Sequence, residues 1–446
     1  METLILKNNF QVIYEKPSNV IPIAAIYLYI RQGSVNENDG IRGGSHLIEH
    51  MCFKGTKEIP NQKVLSTKFD EIGAYFNAFT TKYMTCYTVK CGEFFVKNCL
   101  HIISDMVLNS RFSKSDFEKE QNIVKEETIK NESNENIRVG KIIDSLLYEG
   151  SCLSYPIDDI SYHDHVFEYN SISQLYKSSY CVENMVLSIV THIPFSEIKK
   201  MLKYTFFTKY PKKHAESTFI SLPSIILSPQ SEIRYHIRKT EVENSIYMAI
   251  GFRTCDIYSK DMFPLQILSN VLAGTMSGRL FILLREKNAV TYSSSVDINN
   301  YSFTGDFTIQ TSADYNKIIK NGSKPGVLPL IIGELNHLIK NGITEKELHI
   351  AKGYMKGSSV INMENCENQA QYNGEYVIME KYNKTPGSIK YVKYSQIYDQ
   401  FIHPVKMSDI KRVIKTYFIK SNMSVALCGK HVPSLEKVKS ICNKLL

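Results

Sequence analysis

The sequence lacks tryptophan, and no run of apolar residues approaches the roughly 20 that a membrane-spanning helix needs. The first residues show neither a basic segment followed by an apolar one nor an amphipathic leader rich in Arg and Ser. We therefore expect a protein that neither enters a membrane nor leaves the cell by a standard route. A cytoplasmic location follows, or a virion or host cytoplasm if the source is viral.

Three further absences exclude whole classes of function. The ten cysteines contain no C-x-x-C pair, and the spacing from Cys86 to Cys91 is too wide for a zinc knuckle or redox motif. The net charge is +8, but Lys and Arg are interspersed with Asp and Glu rather than concentrated in a stripe, so we expect no nucleic-acid partner. Neither a phosphate-binding G-x-x-x-x-G-K-[ST] loop nor a G-x-S-x-G nucleophile elbow is found.

The two halves of the chain show similar patterns. A strand-like run at Ile23–Ile30 has a counterpart at 245–252, which begins 245 − 23 = 222 residues later. An Asn-Met pair precedes a further strand-like run at 184 and again at 422, an offset of 422 − 184 = 238 residues. Repeated patterns at similar offsets indicate a duplicated domain.

The fold class follows from the order of the predicted elements. Strand-like runs occur in pairs and amphipathic helices in succession, which favours an α+β fold with mainly antiparallel sheets packed with helices over a doubly wound sheet. We predict a first domain at 1–210, a linker at 211–232 interrupted by prolines, and a homologous second domain at 233–446. Helical faces are predicted at Leu100, Ile103 and Val107, and at Leu328, Ile331, Leu335 and Leu338.

The segment Gly43 to Met51 carries the clearest chemical pattern. His46 and His50 are four residues apart, so on a helix both imidazoles point from one face and can reach one metal ion. Glu49 then lies beside the ligands, where a base can take a proton from a metal-activated water. Ser45 is the predicted N-cap. The alternative for this pattern alone is an ordinary exposed helix with two polar rows.

A catalytic zinc needs a third protein ligand, and the segment 117–127 offers several carboxylates. Glu120 and Glu127 are two helical turns apart on one face, whereas Glu126 points about 100° away from that face. Spacing alone does not choose among the three. The cluster His163-Asp164-His165 is also rich in metal-ligand types, but such a loop cluster without partners is more often exposed to solvent.

The residues His46 to Thr56 resemble the inverted zinc-binding motif of the M16 metallopeptidases. The stretch Glu120-Gln-Asn-Ile-Val-Lys-Glu-Glu127 is similar to the family pattern E-x-x-x-V-x-x-E. This resemblance implies that Glu127 is the third zinc ligand and that Glu120 orients the site.

Two further segments carry the same resemblance. Gly73 to Thr80 is similar to the family's G-A-x-x-N-A-Y-T strand, which implies substrate binding by Asn77, Ala78 and Phe79. The segment 277–292 resembles S-x-R-L-x-x-x-L-R-E-K-x-G-L-x-Y, which implies that Arg285 and Tyr292 reach the substrate from the second domain. This chain departs from the family at Ser45, Thr191 and Ala289, where smaller residues are usual.

The resemblance implies a zinc-dependent endopeptidase that cleaves unfolded polypeptides or short peptides, with Glu49 as the base. Because residues 261–274 of the second half contain no His or Glu, we expect one Zn²⁺ per chain. We also expect a homodimer or a heterodimer with a related chain. The alternatives are a non-catalytic peptide-binding or scaffold subunit, and a regulatory metal-binding protein without hydrolysis.

Overall fold

The computed structural model describes residues 1–158, 167–211, 226–241, 244–380 and 392–446. These residues form two domains, each with one main β-sheet packed with helices. The strands of the first domain are β1 Glu2–Ile5, β2 Gln11–Glu15, β3 Ile23–Ile30, β4 Tyr75–Thr80, β5 Thr85–Gly92 and β6 Met185–Val190. Those of the second domain are β7 Arg234–Arg238, β8 Ser245–Thr254, β9 Ser294–Asn300, β10 Gly305–Asp314, β11 Lys320–Asn321, β12 Lys324–Pro325 and β13 Met423–Cys428.

Helices follow the strands in both halves of the chain. Those of the first half are α1 Gly44–Cys52, α2 Gln62–Asp70, α3 Val96–Leu108, α4 Lys114–Glu132, α5 Glu135–Leu147, α6 Tyr169–Ser179, α7 Phe195–Leu202 and α8 Phe206–Lys209. Those of the second half are α9 Met262–Ser269, α10 Val327–Asn341, α11 Glu345–Asn362, α12 Cys366–Glu380, α13 Met407–Tyr417 and α14 Leu435–Cys442.

The two main sheets share one strand order. The first sheet runs β1-β2-β6-β3-β5-β4 and the second runs β7-β13-β8-β10-β9. If β1 is left aside, each sheet has five strands. In both sheets the first strand lies at one edge and pairs in parallel with the last strand. The last strand is followed across the sheet by the second, fourth and third strands, and all of these pairs are antiparallel. This common order confirms the prediction of two homologous α+β domains.

Several predicted elements lie where the patterns placed them. The run Ile23–Ile30 is β3, and the run that begins at Ser245 is β8, which continues to Thr254. The apolar positions predicted on α3 and α10 are buried in the cores of their own domains. Of the predicted linker 211–232, residues 212–225 lie outside the described ranges, so the exact domain boundaries stay a prediction.

Each sheet is covered on one face by a helix from the other half of the chain. Helix α12 packs against β3 and β6, and α5 packs against β8 and β13. Residues of both domains therefore share one buried apolar cluster. The fit is close at Gly374 of α12, where an added Cβ would lie 2.1 Å from the Tyr29 ring. The Tyr29 hydroxyl donates to the Gln371 carbonyl at 3.2 Å, which fixes α12 on the sheet.

Buried polar contacts join the domains beside this cluster. The Tyr148 hydroxyl, after α5, donates to the carboxylate of Asp306 on β10. The Ser302 amide in the β9–β10 turn donates to the Tyr83 hydroxyl in the β4–β5 turn at 3.1 Å. Burial raises the pKa of Asp306 to about 6, which is consistent with a carboxyl group enclosed at the domain interface.

We predict that Gly374→Ala lowers the free energy of unfolding by about 1–3 kcal/mol, because the new methyl group overpacks the contact with Tyr29. Urea unfolding followed by circular dichroism measures this change. Gly333→Ala on α10 is the control, since its Cβ would meet nothing within 4 Å. Alanine is favoured over glycine in a helix by about 0.5–1 kcal/mol, so the control should be slightly more stable than wild type. Equal stability of the two variants would contradict the close fit.

Candidate active site

Helix α1 begins after Gly43, which has a left-handed φ of 86° that a glycine adopts without strain. The Glu37 carboxylate accepts hydrogen bonds from the amides of Gly43 and Ser45, each at 2.7 Å. The prediction that Ser45 caps the helix is therefore wrong, because the Glu37 side chain already supplies the acceptor. Ser45 lies inside the helix, where its hydroxyl accepts a hydrogen bond of 2.9 Å from the side-chain amide of Gln32.

His46, His50 and Glu127 lie together, with one potential ligand atom from each within 4.8 Å of the others. The two imidazoles project from one face of α1, with ring centroids 4.7 Å apart and nearly perpendicular planes. Glu127 reaches them from α4, and its Oε2 lies 3.5 Å from His50 Nε2. Within the described ranges this is the one group of His, Cys, Asp or Glu side chains with such spacing. His163-Asp164-His165 lies outside the described residues.

The chemistry of these three side chains fits a zinc ion, since two imidazoles and one carboxylate leave a fourth position open. Burial lowers the pKa of His46, and the neighbouring His50 adds to this effect, which favours the neutral imidazole that a metal requires. His46 Nδ1 is buried and has no hydrogen-bond partner in the described part of the chain. A buried polar atom without a partner is costly, and ligands or ordered groups usually satisfy such atoms.

Glu120 lies on the same face of α4 as Glu127, but it contacts the other side of His50. Its Oε1 lies 3.1 Å from His50 Nδ1, and its Oε2 pairs with Lys54 Nζ at 2.5 Å. Burial alone would raise the pKa of Glu120, but the bonds to His50 and Lys54 outweigh it and lower the pKa. Glu126 is exposed.

The same contact affects His50 itself. Burial alone would lower the pKa of His50, but the hydrogen bond to Glu120 and the nearby charges of Glu49 and Glu127 raise it. A carboxylate on the second ring nitrogen is the usual way in which proteins orient a metal-binding histidine. Lys54 was missed in the sequence analysis, because it follows the end of α1 and its partner Glu120 belongs to a different helix.

Glu49 is only 7% exposed and points toward the sheet. Its Oε2 accepts a hydrogen bond of 2.6 Å from the hydroxyl of Thr80, the last residue of β4. Burial raises the pKa of Glu49, although the Thr80 bond opposes the rise. The sequence placed Thr80 at the end of the strand but assigned it no contact with Glu49.

The residues predicted to bind substrate lie on β4, which is the edge strand of the first sheet. Asn77 is exposed, and Ala78 and Phe79 are partly buried. The Ala78 amide donates to the Asn77 side chain at 2.9 Å. An amide at the edge of a sheet that bonds to a side chain of its own strand can exchange that hydrogen bond for a bond to the backbone of an added strand. The substrate-binding role of these residues stays a prediction.

Arg285 and Tyr292 lie in the second domain and contact each other. The Arg285 guanidinium lies 4.6 Å from the Tyr292 ring centroid and 5.1 Å from that of Phe281. Tyr292 is 79% exposed, so its hydroxyl faces solvent. Ala289 has a φ of 46°, a conformation that glycine adopts more easily. The action of Arg285 and Tyr292 at the predicted zinc ligands stays a prediction.

None of the described helices combines the length and the apolar character needed to cross a membrane.

Two family models match the chain. The model described as Insulinase (Peptidase family M16) matches residues 12–158, and the model described as Peptidase M16 inactive domain matches residues 167–355. A Bacillus subtilis protein named as an uncharacterized zinc protease is 30% identical over 379 residues, covering 85% of this chain and 88% of that protein. A Rickettsia bellii protein of the same description is 28% identical and covers 84% of this chain and 87% of its own.

Solved structures show the same fold at lower sequence identity. A protease from Helicobacter pylori superposes with a TM-score of 0.83 at 20% identity, covering 96% of this chain and 99% of the other. A Pseudomonas fluorescens structure described as a peptidase M16 inactive domain gives a TM-score of 0.80 at 17% identity, covering 97% and 99%. The matching models, the relatives and the shared fold together show that this chain belongs to peptidase family M16.

Proposed function

We propose that this protein is a zinc-dependent endopeptidase that cleaves unfolded polypeptides or short peptides. The observation that carries the proposal is the joint position of four side chains. His46, His50 and Glu127 meet within 4.8 Å, and Glu49 stands beside them with its carboxylate held by Thr80. The names of the relatives as zinc proteases support the same reaction class.

His46, His50 and Glu127 are the residues that would hold one zinc ion. When bound, zinc supplies a Lewis acid that polarises a carbonyl group and lowers the pKa of a water molecule towards ~7. Glu120 holds His50 by its Nδ1 so that Nε2 faces Glu127. In the second domain the region that would repeat the motif forms α9, whose residues 262–269 contain no His or Glu. One zinc per chain follows.

Glu49 acts as the general base in this proposal. Thr80 bonds its Oε2, so Oε1 is the oxygen that takes the proton of the attacking water. The same carboxyl group then passes the proton to the leaving amine. A buried position suits this role, because burial raises the pKa of a carboxyl group towards the working pH and so improves proton delivery.

Substrate adds to the edge of β4 as a further strand. The backbone at Asn77, Ala78 and Phe79 pairs with the peptide once the Asn77 side chain releases the Ala78 amide. Only an extended peptide can pair in this way, so the substrate is short or unfolded. Arg285 and Tyr292 from the second domain then stabilise the developing oxyanion or the backbone beside it.

The protein works as a homodimer or as a heterodimer with a related chain, with neither nucleic acid nor a membrane as partner. A pair of two-domain chains would close a chamber around an extended peptide. Size-exclusion chromatography with light scattering measures the mass of the purified protein and so distinguishes one chain from two.

We predict that Glu49→Gln lowers kcat by roughly a hundredfold to ten-thousandfold, because the amide cannot accept the proton of the attacking water. Cleavage of a quenched-fluorescent pool of unstructured peptides measures this loss. Zinc content should stay at the wild-type level, since Glu49 is not a ligand. Glu126→Gln is the matched control, because Glu126 is an exposed carboxylate next to Glu127.

Zinc chelation of the wild-type protein should abolish cleavage, and added zinc should restore it. If folded, zinc-loaded wild type is as inactive as Glu49→Gln, alone and with any co-purified chain, the endopeptidase proposal fails. The protein would then be a non-catalytic peptide-binding or scaffold subunit. Zinc binding without Glu49-dependent turnover would indicate a regulatory metal-binding protein.

We predict that Glu120→Gln weakens zinc binding by about 10–100-fold, because His50 loses the carboxylate that orients its ring. Competition with a fluorescent zinc chelator measures the affinity without any peptide substrate. Glu118→Gln, an exposed carboxylate on the same helix, is the control and should bind zinc as wild type does. Unchanged affinity in Glu120→Gln would show that Glu120 does not hold His50.

A further inference from the structure

A closed circuit of side chains ties helix α1 to the β4–β5 hairpin. The Ser45 hydroxyl accepts a hydrogen bond of 2.9 Å from the side-chain amide of Gln32. The backbone carbonyl of Gln32 in turn accepts a hydrogen bond of 2.9 Å from the Thr85 hydroxyl. The Thr85 oxygen lies 3.4 Å from that of Thr80, and the Thr80 hydroxyl bonds the carboxylate of Glu49 at 2.6 Å. Ser45 and Glu49 are one helical turn apart, so the circuit returns to the helix from which it starts.

The number of available protons fixes the direction of the bond to Glu49. A threonine hydroxyl has one proton to donate, and that of Thr85 goes to the Gln32 carbonyl. The one proton of Thr80 goes to Glu49, because the ionised carboxylate can only accept and the distance to it is the shorter one, 2.6 Å. The contact of 3.4 Å between the two threonines is the longest in the circuit, as expected where neither oxygen has a proton left for the other.

Burial makes the Thr80 hydroxyl hard to replace. Ser45 and Thr85 are completely buried, Gln32 is 1% exposed and Glu49 is 7% exposed. Thr80 itself is partly buried, but the Glu49 oxygen that it holds faces these buried neighbours, so an oxygen that loses the Thr80 hydroxyl finds few other donors there. The carboxyl group of Glu49 would then be free to rotate about its last side-chain bond.

Thr80 also belongs to the strand that receives the substrate in the proposed function, on which this inference rests. Ala78, two residues before it, has its amide bonded to the Asn77 side chain at the sheet edge, while the Thr80 side chain turns inward to α1. One rigid strand thus contacts both the peptide and the base.

We propose that Thr80 is a positioning residue for the general base. Its hydroxyl holds the carboxyl group of Glu49 in one orientation. The base thereby keeps a fixed position relative to a peptide that is paired to β4. The short bond of this hydroxyl is to Glu49 and not to a predicted zinc ligand, so its loss should affect turnover and leave peptide binding and zinc binding intact.

The test compares Thr80→Val, which keeps the shape and removes the hydroxyl, with Thr80→Ser, which keeps the hydroxyl. Thr88→Val is the control from the same hairpin, because the Thr88 hydroxyl bonds the Asn77 carbonyl and not Glu49. For each zinc-loaded protein we would measure kcat, KM and zinc affinity. A crystal structure of each would then show the position of the Glu49 carboxyl group.

Thr80→Val should lower kcat by about 10–100-fold, as a misplaced catalytic group does, with KM and zinc affinity unchanged. Thr80→Ser should recover most of the turnover, and Thr88→Val should keep it. In the crystals, the carboxyl group of Glu49 should be displaced in Thr80→Val and remain in place in Thr80→Ser.

Three results would overturn the inference. The first is a wild-type kcat in Thr80→Val while Glu49→Gln is inactive, since the endopeptidase would then stand without a role for Thr80. Equal losses in Thr88→Val, or a loss of zinc or of peptide binding in Thr80→Val, would show a general effect on the hairpin. If wild type itself cleaves nothing, the crystals decide, and an unmoved Glu49 in Thr80→Val refutes the positioning role.

Discussion

Each main sheet leaves one face to be covered by a helix of the other half of the chain, and the position of Glu127, the third proposed zinc ligand, depends on this packing. Helix α5 is held against β8 and β13 of the second domain. Only residues 133 and 134 separate it from α4, and Glu132 of α4 pairs with Arg138 and Lys141 of α5. The second domain therefore helps to place α4, which carries Glu127 to the two histidines of α1.

The site combines groups that burial would otherwise make costly. A buried carboxylate is stable only when it is paired or hydrogen-bonded, and each carboxylate around α1 has such a partner. Glu120 is held by His50 and Lys54, and Glu49 by Thr80. Each ring nitrogen of His50 faces one glutamate, so the ring has little freedom to turn. The arrangement is rigid because each of these bonds fixes one side chain and also supplies the hydrogen-bond or charge partner of another.

Much of the site could be predicted because it depends on spacing within single helices. The four-residue interval between His46 and His50 fixes their common face, and the same argument leaves Glu120 and Glu127 as alternatives on α4. The choice between them depends on how α4 packs on α1, and only the family resemblance indicated it. The contacts of Lys54 with Glu120 and of Thr80 with Glu49 join separate elements, so local patterns carry no signal for them. The cap of α1 was mispredicted for the same reason, since Glu37 reaches it from a preceding loop.

The bonds from Glu37 to the first turn of α1 have a consequence for the electric field at the proposed zinc ligands. The aligned peptide groups of a helix give its N-terminus a partial positive charge of roughly half an elementary unit. His46 lies in the first turn, so this charge would repel a divalent cation held there. The negative Glu37 side chain, 2.7 Å from two of the exposed amides, offsets that charge at its source. A residue outside the predicted ligand set thereby makes the start of the helix tolerant of a cation.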